Sequence, residues 1–145
     1  IIREKQGDYA GMEADIRQVI EQNPEDAQAY NFLGYSLADR GVRLQEALAL
    51  LKKANELAPD KGFILDSLGW AHYRLGHLER AESLLHRAKE LTPGDPEILS
   101  HLGVVLEARG RPEAAREAWQ KALDHVGERE DLAEELRRRL EQVAP

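Results

Sequence analysis

Apolar and small residues recur along this 145-residue chain at helical spacing, in alternating pairs of stripes. Mid-chain, Leu65, Leu68, Gly69, His72 and Leu75 fall on one helical face, and Leu78, Ala81, Leu85 and Ala88 fall on one face of a second helix. Gly76 lies between them and can take the left-handed conformation that ends a helix in a tight turn. The pattern therefore predicts an antiparallel helix pair, and it repeats. NFLGYSLADRG, DSLGWAHYRLG and SHLGVVLEARG each hold Leu–Gly and a second glycine seven residues on: Gly34 and Gly41, Gly69 and Gly76, Gly103 and Gly110. Ala47, Ala81 and Ala115 follow, then Ala54, Ala88 and Ala122, and Pro59 and Pro93 close two of the units. Leu68 to Leu102 is a step of 34 residues; Leu33 to Leu68 is 35, the extra residue falling between Gly41 and Ala47. Self-similarity at this period marks stacked structural repeats.

A glycine inside a helix costs about 1 kcal/mol relative to alanine. Its presence in all three Leu–Gly pairs predicts that the partner helix crosses there too closely for a side chain, and the alanines of the second helix carry the same message. Asp95–Pro96–Glu97 reads as N-cap, first-position proline and first-turn acid, and Pro112 opens another helix. Towards the start, Gly7, Ile16, Val19 and Pro24 fit the second helix of an incomplete unit, with Met12 at an alanine position. With no Met at position 1 and no signal-peptide pattern, the chain is expected to be a piece of a longer array. Near the end, Leu132, Leu136, Leu140 and Val143 form one stripe, expected to cap the apolar side of the last unit. The predicted organisation is a single array: a partial repeat over 1–24, repeats over 25–59, 60–93 and 94–127, and a capping helix over 130–143.

These motifs together resemble the tetratricopeptide repeat family, and the likeness covers nearly the whole chain. It implies an all-α, right-handed solenoid of antiparallel helix pairs whose first helices line a concave groove, where extended peptides or partner helices bind. At 100° per residue, the face opposite the core stripe carries Phe63, Asp66, Trp70, Tyr73 and Arg74 in the middle unit. The matching stripes are Gln28, Asn31, Tyr35, Ala38 and Asp39 before it, and Glu97, Ser100, Val104, Glu107 and Ala108 after it. The resemblance thus implies partner-binding residues Gln28, Asn31, Tyr35, Asp39, Phe63, Asp66, Trp70, Tyr73 and Arg74. Aromatic rings beside hydrogen-bonding groups are the chemistry of interaction hot spots. Trp70 and Tyr73 have two readings: ligand contact in the groove, which leaves the helices intact when Trp70 is truncated, or packing between neighbouring first helices. A clamp for C-terminal carboxylates does not fit, because Asp39, Asp66 and Glu97 dominate the face and Arg74 is its main cation.

Composition narrows the function further. A net charge of −7 argues against nucleic acid or an anionic membrane as partner. No apolar run approaches the roughly 20 residues of a membrane span. Without cysteine there is neither a disulfide nor a thiolate. The five histidines form no ligand pattern, and no nucleophile elbow or phosphate loop is present, so no cofactor, metal or catalysis is expected. Acidic pairs such as Glu134–Glu135 and the run Arg137–Arg139 read as solvated helix surface. The expected function is a scaffold or adaptor binding a protein or peptide partner. The alternative is a structural or self-assembling segment, a homo-oligomer forming through Ile1, Ile2, Met12 and Ile16. The repeats also resemble those at the C-terminus of large proteobacterial tetratricopeptide proteins, some of them lipoprotein adaptors of periplasmic proteases. That likeness implies a periplasmic location with the anchor upstream of Ile1; without it, cytoplasm and periplasm are equally open.

Overall fold

The computed structural model describes residues 8–143. Among these the chain forms eight helices and no strand. They are α1 (Tyr9–Gln22), α2 (Ala27–Arg40), α3 (Leu44–Leu57), α4 (Gly62–Arg74), α5 (Leu78–Leu91), α6 (Pro96–Ala108), α7 (Pro112–Asp124) and α8 (Glu130–Gln142). Helices α2–α3, α4–α5 and α6–α7 form hairpins that stack in chain order, with α1 against α2 and α8 against α7.

Each hairpin is drawn together at its Leu–Gly glycine. A Cβ on Gly34 would lie 2.6 Å from Leu51 Cγ, and one on Gly69 would lie 3.0 Å from Leu85 Cγ. On Gly103 it would collide with the indole of Trp119, which fills the position held by leucine in the other units. The hairpin turns pass through Gly41 and Gly76, whose φ values of 73° and 85° lie in the left-handed region that glycine adopts without steric cost. Asp95 Oδ1 accepts from the backbone N–H groups of Glu97 (2.9 Å) and Ile98 (3.2 Å), and Pro96 and Pro112 begin α6 and α7, as their sequence context predicts.

The extra residue of the first full unit is absorbed at Arg43, which takes φ 45° and ψ 52° immediately before α3. An L-residue in that conformation costs on the order of 1 kcal/mol. Its guanidinium is anchored in compensation: Nη1 donates to Glu13 Oε2 at 3.0 Å and Nη2 to Oε1 at 2.5 Å, tying the turn back to α1.

The core runs unbroken through the stack, with Leu33, Leu37, Leu51, Leu85, Val105 and Leu136 fully buried. At the first helix, Met12 is buried and Ile16 is half-buried, packed against the core; Ile1, Ile2 and Gly7 lie outside the described residues. Helix α8 buries Leu132 and Leu136, Val143 just past its end is buried too, and Arg116 Nη2 of α7 donates to the Val143 carbonyl at 3.3 Å. His72 is buried in the second hairpin with its Nδ1 3.0 Å from Nδ1 of His77. Burial, aided by the charges of Arg80, His77 and Lys52, pushes its pKa down to about 4.

Two outcomes follow for stability. Gly103→Ala forces a methyl group into the Trp119 ring and is expected to destabilise by about 1–3 kcal/mol; a urea midpoint equal to that of the parent would contradict the close crossing. His72 titrates near 6.5 when unfolded and near 4 when folded, so the unfolded chain binds more protons between those pH values. Stability should therefore fall as pH drops through that window. Thermal melts should show a smaller fall for His72→Leu than for the parent.

Candidate functional site

Helices α2, α4 and α6, the first members of the three hairpins, turn one face each towards a shared surface. Two hollows open on it. The first encloses about 370 Å³. Helix α2 contributes Gln28, Asn31, Phe32 and Tyr35, α4 contributes Phe63, Asp66 and Ser67, and α6 contributes Glu97. Phe32 and Phe63 remain 41% and 42% exposed, although both are large and apolar. The side-chain oxygen of Asn31 is buried without a hydrogen-bond donor among the described residues. An unpaired buried acceptor costs roughly 1–3 kcal/mol.

The second hollow encloses about 310 Å³ and is more polar. Tyr35 and Asp39 of α2, Trp70 and Arg74 of α4, and Ser100, His101 and Val104 of α6 line it. Helix α8 closes its far side with Leu132, Glu135 and Arg139. Glu135 and Arg139 therefore do not sit on a solvated outer face. They pair with each other at 3.1 Å and point into the hollow.

A ladder of rings and charges separates the two hollows and joins the three helices. His101 lies against Trp70 with ring centroids 4.2 Å apart, and Trp70 against Tyr73 at 4.7 Å. His101 Nδ1 meets Asp66 Oδ1 at 2.8 Å, and its Nε2 is 3.5 Å from the Tyr35 hydroxyl. The Trp70 indole N–H donates to Asp39 Oδ1 at 3.2 Å, and Arg74 Nη1 donates to the Asp39 carbonyl at 2.9 Å. Burial opposes a charge on His101, but the Asp66 carboxylate, its hydrogen bond and the charges of Glu97 and Asp39 together raise the pKa above the ordinary histidine value. Burial, reinforced by Asp39, Glu97, Asp66 and Glu135, also raises the pKa of Tyr35, which stays a neutral phenol.

The residues expected on the groove face separate accordingly. Gln28, Asn31, Tyr35, Phe63 and Asp66 meet in the first hollow, and Asp39, Trp70 and Arg74 in the second. Trp70 is only 7% exposed and forms part of the floor, bound to α2 and α6 at once. Tyr73 lines neither hollow; its ring supports Trp70. Ala38, at the equivalent position, is fully buried in the core, and Glu107 and Ala108 are exposed away from both hollows. Sequence reasoning misses Phe32, Ser67 and His101. Each stands directly before the leucine of its Leu–Gly pair, and all three line a hollow. Phe32 lies four residues after Gln28 and three before Tyr35, so the helical period held the signal.

Helical hairpins stacked in sequence, with their first helices sharing one face, define an α-solenoid, an architecture whose extended surfaces serve protein–protein interaction. This chain belongs to the tetratricopeptide repeat family, whose model matches residues 2–61 and 67–131. A TPR repeat-containing protein of Pseudomonas aeruginosa is 51% identical over 81 residues, covering 56% of this chain and 14% of that protein. The chain thus spans about a seventh of that relative's length. Among solved structures, a thermophilic TPR protein of Thermus thermophilus superposes with TM-score 0.81 at 24% identity, over 95% of this chain and 76% of the other. YrrB, described as a TPR protein with an unusual peptide-binding site, superposes with TM-score 0.68 at 24% identity, over 86% and 62% of the two chains.

The two large aromatics of α4 should respond differently to truncation. Trp70→Ala removes a buried ring shared by three helices and is expected to cost about 3–5 kcal/mol. Phe63→Ala, at an exposed rim, should stay within about 1 kcal/mol of the parent. Urea denaturation of the two variants side by side measures both, and equal losses would refute the division into floor and rim.

Proposed function

We propose that this chain is a non-catalytic interaction module that seats an extended segment of a partner protein in the first hollow, across α2 and α4. The observation that carries this reading is the pair of exposed rings, Phe32 and Phe63, on one recess that opens between α2 and α4. Apolar area on a preformed rim gains about 25 cal/mol per Å2 when covered, and the Gln28 and Glu97 side chains of the lining can accept from a backbone or side-chain N–H. The ladder beneath keeps α2, α4 and α6 in fixed relation, so little ordering entropy is lost on docking. The peptide-binding site ascribed to YrrB lends support by analogy of fold.

Selection of a random peptide library against the whole chain tests the proposal. Enriched peptides should bind in fluorescence anisotropy and lose at least about tenfold in affinity to a Phe32→Ala/Phe63→Ala double variant of unchanged melting temperature. Failure to enrich any peptide, or affinities indifferent to the double substitution, would overturn it.

A further inference from the structure

The charges around the two hollows are sorted. In the first, among the described residues, the only ionisable side chains apart from the neutral Tyr35 phenol are the carboxylic acids Asp66 and Glu97, and no lysine, arginine or histidine lines it. In the second, Arg74, His101 and Arg139 are interleaved with Asp39, Glu97 and Glu135. The cations that balance the first hollow stand outside it. His101, a rung of the ladder, meets one oxygen of Asp66 at 2.8 Å, and Arg129 approaches Glu97 only at 3.6 Å, with both side chains about half exposed.

An anionic side chain placed here would face the Asp66 and Glu97 carboxylates with no cation in the lining to meet it. A purely apolar one would cover the rings and draw the half-exposed Glu97 carboxylate out of water. A lysine or arginine suits both the rings and the carboxylate. Its aliphatic stem lies along apolar surface while its head group stays polar, and its charge is attracted by the faces of aromatic rings. The net charge of −7 adds a long-range attraction of the same sign.

Resting on the groove reading above, we infer that the first hollow is a recognition site for a lysine or arginine side chain, presented by an extended segment of a partner protein and held between Phe32 and Phe63 with its N–H groups on Glu97.

The peptides enriched from the random library supply the test. They should share a basic residue, and replacing it with norleucine, which keeps the stem and removes the charge, should weaken binding by about tenfold. Replacement by glutamate should weaken it further. Glu97→Gln should erase most of the preference for lysine over norleucine, and added salt should do so in part. Peptides that depend on Phe32 and Phe63 but bind equally well with norleucine would overturn this inference and leave the groove reading intact. Peptides indifferent to those two rings, or none enriched at all, would overturn both.

Discussion

The distance at which two helices of a hairpin cross governs everything else in this molecule, and a missing side chain sets that distance. At Gly34 and Gly69 the partner helix presents Leu51 and Leu85, so close that a methyl group would enter or press on the leucine side chain. At Gly103 the partner is Trp119, whose indole N–H donates to the Ser100 carbonyl at 3.1 Å. The contact thus tolerates a leucine or a tryptophan on one side, but requires glycine on the other. Close crossing lets the facing alanines Ala47, Ala81 and Ala115 be completely buried with few voids. A hairpin held this way acts as one body, and its first helix has no freedom to roll its outer face away from its neighbours.

Stacking these bodies uses two different chemistries on the two sides. At the second helices the device is ionic. Glu13 binds Arg43 of the following turn, and Glu82 accepts from Arg109 at 2.9 Å and Arg111 at 2.9 Å across the junction of the second and third full repeats, whereas the buried Leu48 holds the corresponding place between the first and second. Both acids directly follow the first alanine-type position of their helix, Met12 and Ala81; Arg116, after Ala115, reaches the Val143 carbonyl from the same place. Glu82 is mostly buried, so losing its arginines would strand a desolvated charge, which is far costlier than losing an exposed pair. At the first helices the device is the ring ladder of Tyr35, His101, Trp70 and Tyr73, held in register by Asp39 and Asp66. One side ties α1 to the first full repeat and the second full repeat to the third, and the other fixes the shape of the shared face.

Much of this is legible from residue types alone, because glycine, alanine and proline speak about local geometry. The Leu–Gly pairs announce the crossings, the turn glycines the reversals, and Asp95–Pro96 a helix start. The face shared by the first helices is harder. Ala38 and Tyr73 occupy one register position but differ in fate, a small residue sinking into the core and a large one leaning on an adjacent indole. Phe32, Ser67 and His101 share another position, and their dissimilar chemistry hides the stripe. Spacing alone leaves Trp70 open between ligand and packing, since both readings put it on the same helical face; the acid at Asp39 and the ring at His101, each from another repeat, make it part of the floor. Glu135 and Arg139 read as surface for the same reason: nothing local in α8 reports that it lies across the hollow from α2.

Arg43 carries a further consequence. The residue that lengthens the first full unit sits in a turn that belongs neither to the glycine crossing nor to the ring ladder, and its unusual backbone is held by salt links to α1. Chain length between the members of a hairpin is thereby uncoupled from the phase of the stack. This corner supplies slack, where the polypeptide can gain a residue without shifting any later repeat out of alignment.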